Sequence, residues 1–164
     1  MNLLPLLDRL QSLEHEAGCL YRTMAARLRE SNAAAAELLA RLAEEEKGHE
    51  QKVRLVREIV ADAGQPPSQA GIDSGITERM DSQLGYIREK QSLFALGMPD
   101  LTVSQTIAMA LDIEVQLQER HALEAVHVHD VRIRQLMQSL VEADGAHSDL
   151  LREWLDKETG PLPL

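Results

Sequence analysis

The chain has 164 residues, enough for one domain with a hydrophobic core, and its net charge of −10 argues against nucleic acid as a partner. Aromatic residues make up only 2% of the sequence and strand formers are sparse, which predicts an all-α fold. The single cysteine, Cys19, excludes an internal disulfide and any thiolate cluster for zinc or iron–sulfur.

The first helical pattern covers residues about 3–30. Its buried row, which we call a seam, has apolar residues three or four positions apart: Leu6, Leu10, Leu13, Ala17, Leu20 and Met24. A neighbouring row at seven-residue spacing holds Leu7, Glu14, Tyr21 and Leu28. Glu14 is therefore the one charge in an otherwise apolar row. Ser31 and Asn32 break the pattern and supply an N-cap for the next helix.

The second helix, predicted over residues about 33–62, has two polar members in its seam. That seam reads Ala35, Leu39, Leu42, Glu46, His49, Val53, Val56 and Val60. A buried carboxylate and imidazole three residues apart need a partner, because a buried charge is otherwise costly or shifts its pKa. A Glu-x-x-His pair on a bundle helix is half of a dinuclear metal site.

Proline and glycine punctuate residues 64–101, which we interpret as a crossover between two helix hairpins. An amphipathic pattern over residues about 76–94 predicts a short extra helix inside this crossover. No apolar run is long enough to span a membrane, and the N-terminal residues lack the basic region of a signal peptide. We therefore expect a cytoplasmic protein without a membrane partner.

The third and fourth helices are predicted over residues about 102–128 and 130–157. Glu114 and His121 interrupt the apolar seam of the third helix. Asp144 and His147 interrupt that of the fourth, and they repeat the acid-x-x-His spacing of Glu46 and His49.

The two halves of the chain are similar to each other. Glu114 and His121 follow Glu14 and Tyr21 by 100 residues, whereas Asp144 and His147 follow Glu46 and His49 by 98. This repeat indicates one helix hairpin used twice and joined by the crossover. The predicted fold is an antiparallel four-helix bundle in a single domain over residues 1–164.

The pattern Glu, Tyr, Glu-x-x-His, Glu, acid-x-x-His over four helices resembles the ferritin-like di-iron carboxylate superfamily, and most closely its rubrerythrin-like branch. The resemblance implies a ferritin-like bundle and two iron ions, with manganese or zinc as possible substitutes. It implies that Glu46 and Asp144 bridge the two metals, that Glu14 and His49 complete one, and that Glu114 and His147 complete the other. Four carboxylates balance two divalent cations, and two imidazoles disfavour magnesium and calcium.

The function implied is a non-haem di-iron oxidoreductase that oxidises a ferrous pair with peroxide or dioxygen, in iron handling or oxidative-stress defence. Two alternatives stay open: a metal-binding or structural bundle without turnover, and a di-iron hydroxylase of an organic substrate. The resemblance also implies a homodimer or higher homo-oligomer. Because no rubredoxin-type domain follows the bundle, we expect a separate electron-donor protein.

Two positions depart from the rubrerythrin pattern. Asp144 stands where the family usually has Glu, so its carboxylate is one methylene shorter. Leu117 stands where rubrerythrins carry an additional Glu, which puts their redox-linked exchange of ligands in doubt.

The other polar residues have plainer interpretations. Tyr21 is either a catalytic neighbour of the metals or a core-edge aromatic, and His121 is either a partner of Glu114 or an additional ligand. We expect His15, His127 and His129 at the surface or at helix ends. Glu44, Glu45 and Glu50 are expected to form a solvated face, and Cys19 to be a small buried side chain.

Overall fold

The computed structural model describes residues 3–62, 74–97, 100–127 and 130–159. Within these ranges the chain forms five helices: α1 (Leu4–Leu28), α2 (Ala33–Asp62), α3 (Ser74–Ala95), α4 (Val103–His127) and α5 (Val131–Thr159). The all-α ferritin-like bundle is confirmed, since the described residues contain no strand. The predicted tail and most of the irregular part of the crossover lie outside the described residues, as do Val128 and His129 between α4 and α5.

Short polar caps determine where three of the helices begin. The Asn32 side chain accepts a hydrogen bond from the Ala35 amide at 2.9 Å and so caps α2. At α4, Thr102 and Gln105 each accept a hydrogen bond from the other's backbone amide, which is a capping box. The carboxylate of Asp130 accepts the Arg132 amide at 2.9 Å at the start of α5.

The helices pack as two hairpins with one additional helix beside them. The connection between α1 and α2 is short, so these helices are antiparallel neighbours, and α4 packs against α5 in the second hairpin. Helix α3 packs on α1, where Met80 and Ile87 are buried. Two ion pairs fasten it there, Arg9 to Asp81 and Arg88 to Glu16, both at 2.8 Å.

Apolar residues of all five helices fill the core, and a band of buried polar residues crosses it. The residues of this band that are 0% exposed include Glu14, Glu46, Glu114, His121 and Asp144. The remaining volume is packed mainly by leucine, and Met24, Met80 and Met137 are fully buried. The fold therefore brings charged groups from four helices to one level of the bundle. Within the described ranges, no helix combines the length and apolar character needed to cross a membrane.

Candidate metal centre

Each of the four bundle helices contributes acids or histidines to one buried cluster. Helix α1 supplies Glu14, and α2 supplies Glu46 and His49. Helix α4 supplies Glu114 and His121, and α5 supplies Asp144 and His147. The three residues of the first hairpin and four of the second thus face each other across the bundle axis.

The side-chain atoms that could bind a metal fall into two overlapping groups. In one group, the ligand atoms of Glu14, Glu46 and His49 all lie within 4.8 Å of one another. In the other, those of Glu46, Glu114, Asp144 and His147 do so. The structure thus brings together all six residues that the sequence nominated as metal ligands. Glu46 belongs to both groups and is placed to be shared, whereas Asp144 belongs only to the second.

In the first group, His49 faces two carboxylates through a single ring nitrogen. Its Nδ1 lies 3.1 Å from Glu46 Oε2 and 3.5 Å from Glu14 Oε2. Burial opposes a charge on the imidazole, but the two carboxylates outweigh it and raise the pKa of His49 to about 10. In the metal-free protein His49 is therefore a cation at neutral pH.

In the second group, His147 faces the carboxylates in the same way. Its Nδ1 lies 3.0 Å from Glu46 Oε1 and 3.4 Å from Glu114 Oε2. Burial again opposes the charge, but Glu114 and Glu46 raise the pKa of His147 to about 11. The rings of His49 and His147 stack with centroids 5.5 Å apart, so the two groups are in direct contact.

The acids of the cluster differ in their affinity for protons. Burial raises the pKa of Glu14 to about 8 and that of Glu114 to about 7, with the negative charge of Glu46 adding to both. Glu46 is buried too, but hydrogen bonds from His147 and His49 hold its pKa well below the usual range. The metal-free cluster thus keeps protons on some members, and a bound metal ion would displace them.

His121 joins the two halves of the cluster. Its Nδ1 lies 2.7 Å from Asp144 Oδ2, and its Nε2 lies 3.4 Å from Glu14 Oε1. The sequence left two interpretations of His121, a partner of Glu114 or an additional ligand. These two contacts are instead with one carboxylate of each group, Glu14 and Asp144.

Tyr21 is fully buried beside the same acids. Burial first, and then the negative charges of Glu114 and Glu46, hold the pKa of its hydroxyl well above the usual range. Of its two interpretations, the structure favours a neighbour of the cluster over a residue at the edge of the core. Its phenol keeps its proton at neutral pH.

The described residues satisfy the carboxylate oxygens of the cluster poorly. Glu114 Oε1 and Asp144 Oδ1 accept no hydrogen bond from them and form no ion pair with them. Both oxygens of Glu14, Glu114 Oε2 and Glu46 Oε1 have only an ion pair with a histidine nitrogen, at 3.0–3.5 Å. Buried polar atoms without a partner are costly, so their concentration at one place indicates a ligand that supplies positive charge. Carboxylate oxygens with two imidazoles suit iron, manganese or zinc, and the residues therefore fit a pair of such ions.

Gly18 allows α1 and α2 to approach closely at the cluster. A Cβ on Gly18 would lie 3.2 Å from Glu46 Cβ and 3.3 Å from the Ala43 carbonyl oxygen. A Cβ on Gly145 would lie 2.7 Å from Gln118 Nε2. By contrast, a Cβ on Gly48, between Glu46 and His49 on α2, would meet no atom within 4 Å beyond the backbone of its own helix.

Glu45 does more than contribute to a solvated face. Its side chain is 38% exposed, but its Oε2 also lies 2.8 Å from His147 Nε2. The sequence carries a weak signal for this contact, since Glu45 directly precedes Glu46 and so flanks the seam. Its partner lies on α5, 102 residues away, and only the docking of the hairpins identifies it.

The remaining predictions have mixed outcomes. Cys19 is half-buried rather than buried, and its Sγ lies 3.3 Å from an Arg22 nitrogen. His15 is exposed, as expected, and pairs with Glu50 at 3.1 Å. The side chain of His127 lies outside the described part of the chain.

One of three comparisons with known proteins gave a match. The family model described as rubrerythrin matches residues 6–155. Comparison with curated proteins gave no match, and comparison with solved structures gave none either.

Proposed function

Because the chain belongs to the rubrerythrin family, over residues 6–155, we propose that it is a non-haem di-iron oxidoreductase. It oxidises a ferrous pair with peroxide or dioxygen, in iron handling or oxidative-stress defence. The observation that carries this proposal is the concentration of four buried carboxylates around two imidazoles, with more carboxylate oxygens than the described donors satisfy. Such a set is costly in a purely structural bundle.

Each group of ligands would hold one iron ion. Glu14 and His49 would bind the first ion, Glu114 and His147 the second, and Glu46 would be shared. Asp144 would bind at the second ion, and its shorter side chain limits its reach toward the first. Bound there, a ferrous pair would supply the two electrons that, with two protons, reduce one hydrogen peroxide to two molecules of water.

The residues around the ligands position them and keep water out. His121 holds Oδ2 of Asp144 and leaves Oδ1 buried without a hydrogen bond from the described residues. The Tyr21 hydroxyl holds its proton among the acids. Leu117, fully buried one turn from Glu114, is apolar and cannot coordinate. This favours slow peroxide turnover or a ferroxidase over the fast peroxidase action that ligand exchange would permit.

The family pattern also supports two proposals about partners. Electrons would reach the oxidised pair from a separate donor protein. The chain would assemble as a homodimer or a higher homo-oligomer.

The test combines metal analysis with oxidation kinetics. Protein from iron-fed cells should contain two metal ions per chain, and His49→Ala and His147→Ala should each lower the occupancy of one. After anaerobic loading with ferrous ion, oxidation by peroxide and by dioxygen is followed separately. Full metal content in both variants would refute the ligand assignment. A loaded protein that reacts with neither oxidant would instead support a metal-binding bundle without turnover.

A further inference from the structure

Glu45 connects the buried ring of His147 to the surface of the bundle. Its Oε2 lies 2.8 Å from His147 Nε2, and its Oε1 accepts a hydrogen bond from Arg41 Nε at 2.7 Å. The side chain of His147 is 2% exposed, whereas that of Glu45 is 38% exposed. The carboxylate of Glu45 thus lies between the buried ring of His147 and the exposed side chain of Arg41.

This contact uses the nitrogen of His147 that faces away from the other acids. Nδ1 faces Glu46 and Glu114, while Nε2 faces Glu45. An ionised carboxylate can only accept a hydrogen bond, so Nε2 must carry the hydrogen when the imidazole is neutral. The lone pair is then on Nδ1, which is the nitrogen directed at the ligand group.

His49 has no equivalent support. Its polar contacts in the structure all use Nδ1, and the described residues provide no acceptor for its Nε2. By the internal repeat, the position that matches Glu45 is Ala143, which directly precedes Asp144. A methyl group cannot accept a hydrogen bond. The two imidazoles thus make similar contacts through Nδ1, but among the described residues only His147 has an acceptor at Nε2.

We propose that Glu45 is a positioning residue for metal binding: it fixes the orientation and tautomer of His147, so that this half of the centre binds its ion more tightly than the half containing His49. The inference rests on the metal centre proposed above. An outer carboxylate on a metal-binding histidine typically changes metal affinity by about 10- to 100-fold.

The first experiment is an anaerobic titration with Co²⁺, with site affinities measured by visible absorbance against a competing chelator. Wild type is compared with Glu45→Ala, Glu45→Gln and Glu44→Gln. The last is a matched control, because it removes the same charge from an exposed neighbour that pairs only loosely with Lys47, at 3.8 Å. We expect Glu45→Ala to weaken the tighter site by about 10- to 100-fold and to leave the other unchanged. Glu45→Gln should lose less, since its amide oxygen still accepts the hydrogen.

The second experiment observes the hydrogen on His147 Nε2. In the Co²⁺-loaded wild type, proton NMR should show a hyperfine-shifted imidazole N–H signal that exchanges slowly with water. This signal should broaden in Glu45→Ala and persist in Glu45→Gln. A role for Glu45 in helix stability alone would not change this signal.

A third experiment introduces a carboxylate at the position of the second hairpin that matches Glu45. Ala143→Glu should bring the affinity of the His49 half closer to that of the His147 half and produce a second slowly exchanging signal. Its matched control is Ala143→Gln.

The outcomes separate this proposal from the proposed function. If wild type binds two ions and the Glu45 variants bind them equally well, Glu45 has no positioning role, although the metal centre stands. Equal losses in Glu44→Gln and Glu45→Gln would reduce the effect to net charge and overturn the proposal, as would equal weakening of both sites. Wild type that binds no Co²⁺ would overturn both proposals together.

Discussion

At the scale of single residues, both halves of the metal centre depend on Glu46. Each of its oxygens lies within about hydrogen-bond distance of a different histidine, Oε2 at 3.1 Å from His49 and Oε1 at 3.0 Å from His147. Burial alone would favour the neutral acid, but the two histidines keep it ionised. One full negative charge is thus held between two sites for cations.

Leu117 determines a prediction about the choice of oxidant. We expect Leu117→Glu to raise the rate of ferrous oxidation by peroxide relative to that by dioxygen, because a carboxylate one turn from Glu114 adds a ligand that can exchange. In the metal-free protein the same change should lower the free energy of unfolding by about 1–3 kcal/mol, since it buries another polar group. Stopped-flow kinetics and urea unfolding measure the two effects.

Leu117→Gln is the control, because it has similar size and polarity but is a poor ligand. It should destabilise the metal-free protein comparably and leave the ratio of rates unchanged. An unmodified protein that already reacts far faster with peroxide than with dioxygen would contradict the argument from Leu117.

The sequence could predict which residues lie in the cluster, because seam positions follow from helical periodicity. Glu14 and Asp144 are conspicuous as charges in apolar rows. Contacts between helices could not be predicted in this way. Glu45 and His121 reach partners on other helices, and these partners depend on the heights at which the helices dock.

At the scale of the helices, two glycines near the cluster differ in how closely another helix packs against them. Gly18 on α1 lies against the backbone of α2 at Ala43 and against Glu46, so its missing side chain permits a close approach. A Cβ added to Gly48 on α2 would meet nothing within 4 Å, so glycine there only lowers the stability of its own helix.

Alanine substitutions at these glycines should act in opposite directions. Gly48→Ala should raise the free energy of unfolding by up to about 1 kcal/mol through helix propensity. Gly18→Ala should lower it by about 1–3 kcal/mol, because a carbonyl oxygen and a Cβ atom cannot move aside as a flexible side chain can. Urea unfolding of the metal-free proteins measures both. Stabilisation by both substitutions would show that α1 and α2 have room to separate at this level.

The element boundaries follow from caps that the sequence displays, as Asn32 and Asp130 illustrate. The packing position of α3, in contrast, could not be predicted from the sequence. Its apolar row, which includes Met80 and Ile87, predicts a buried face but not the helix that it covers. The choice of α1 depends on long-range pairs such as Arg9 with Asp81, whose partners are 72 residues apart.

For the molecule as a whole, the buried charges make stability depend on pH. In the metal-free protein, pKa values are raised from 4.5 to about 8 for Glu14 and about 7 for Glu114, and from 6.5 to about 10 for His49 and about 11 for His147. A raised pKa means that the folded state holds the proton more tightly than the unfolded state. The resulting stability is lost as pH rises, from about 4.5 for the acids and from 6.5 for the histidines.

We therefore expect the metal-free protein to have a higher melting temperature at pH 5 than at pH 8. Glu46 has a lowered pKa and contributes in the opposite sense, but only below its unfolded value of 4.5. Calorimetric scans in the presence of a chelator measure this dependence. A melting temperature that increases steadily from pH 5 to pH 8 would contradict the protonated cluster.

Bound metal should oppose the decline in stability at high pH. An ion present at 100 times its dissociation constant adds about 2.7 kcal/mol to the free energy of unfolding, and its affinity increases as the ligands lose protons. The same scans with Co²⁺ or Zn²⁺ should therefore show a smaller difference between pH 5 and pH 8.

The internal repeat has a consequence for how this protein can evolve. In a symmetric dimer of single hairpins, every substitution would appear twice, on both sides of the axis. Two hairpins in one chain can change independently: one half has Tyr21, Glu45 and Glu46 where the other has His121, Ala143 and Asp144. Fusion would therefore let the two proposed metal sites differ in affinity, which two identical halves could not do.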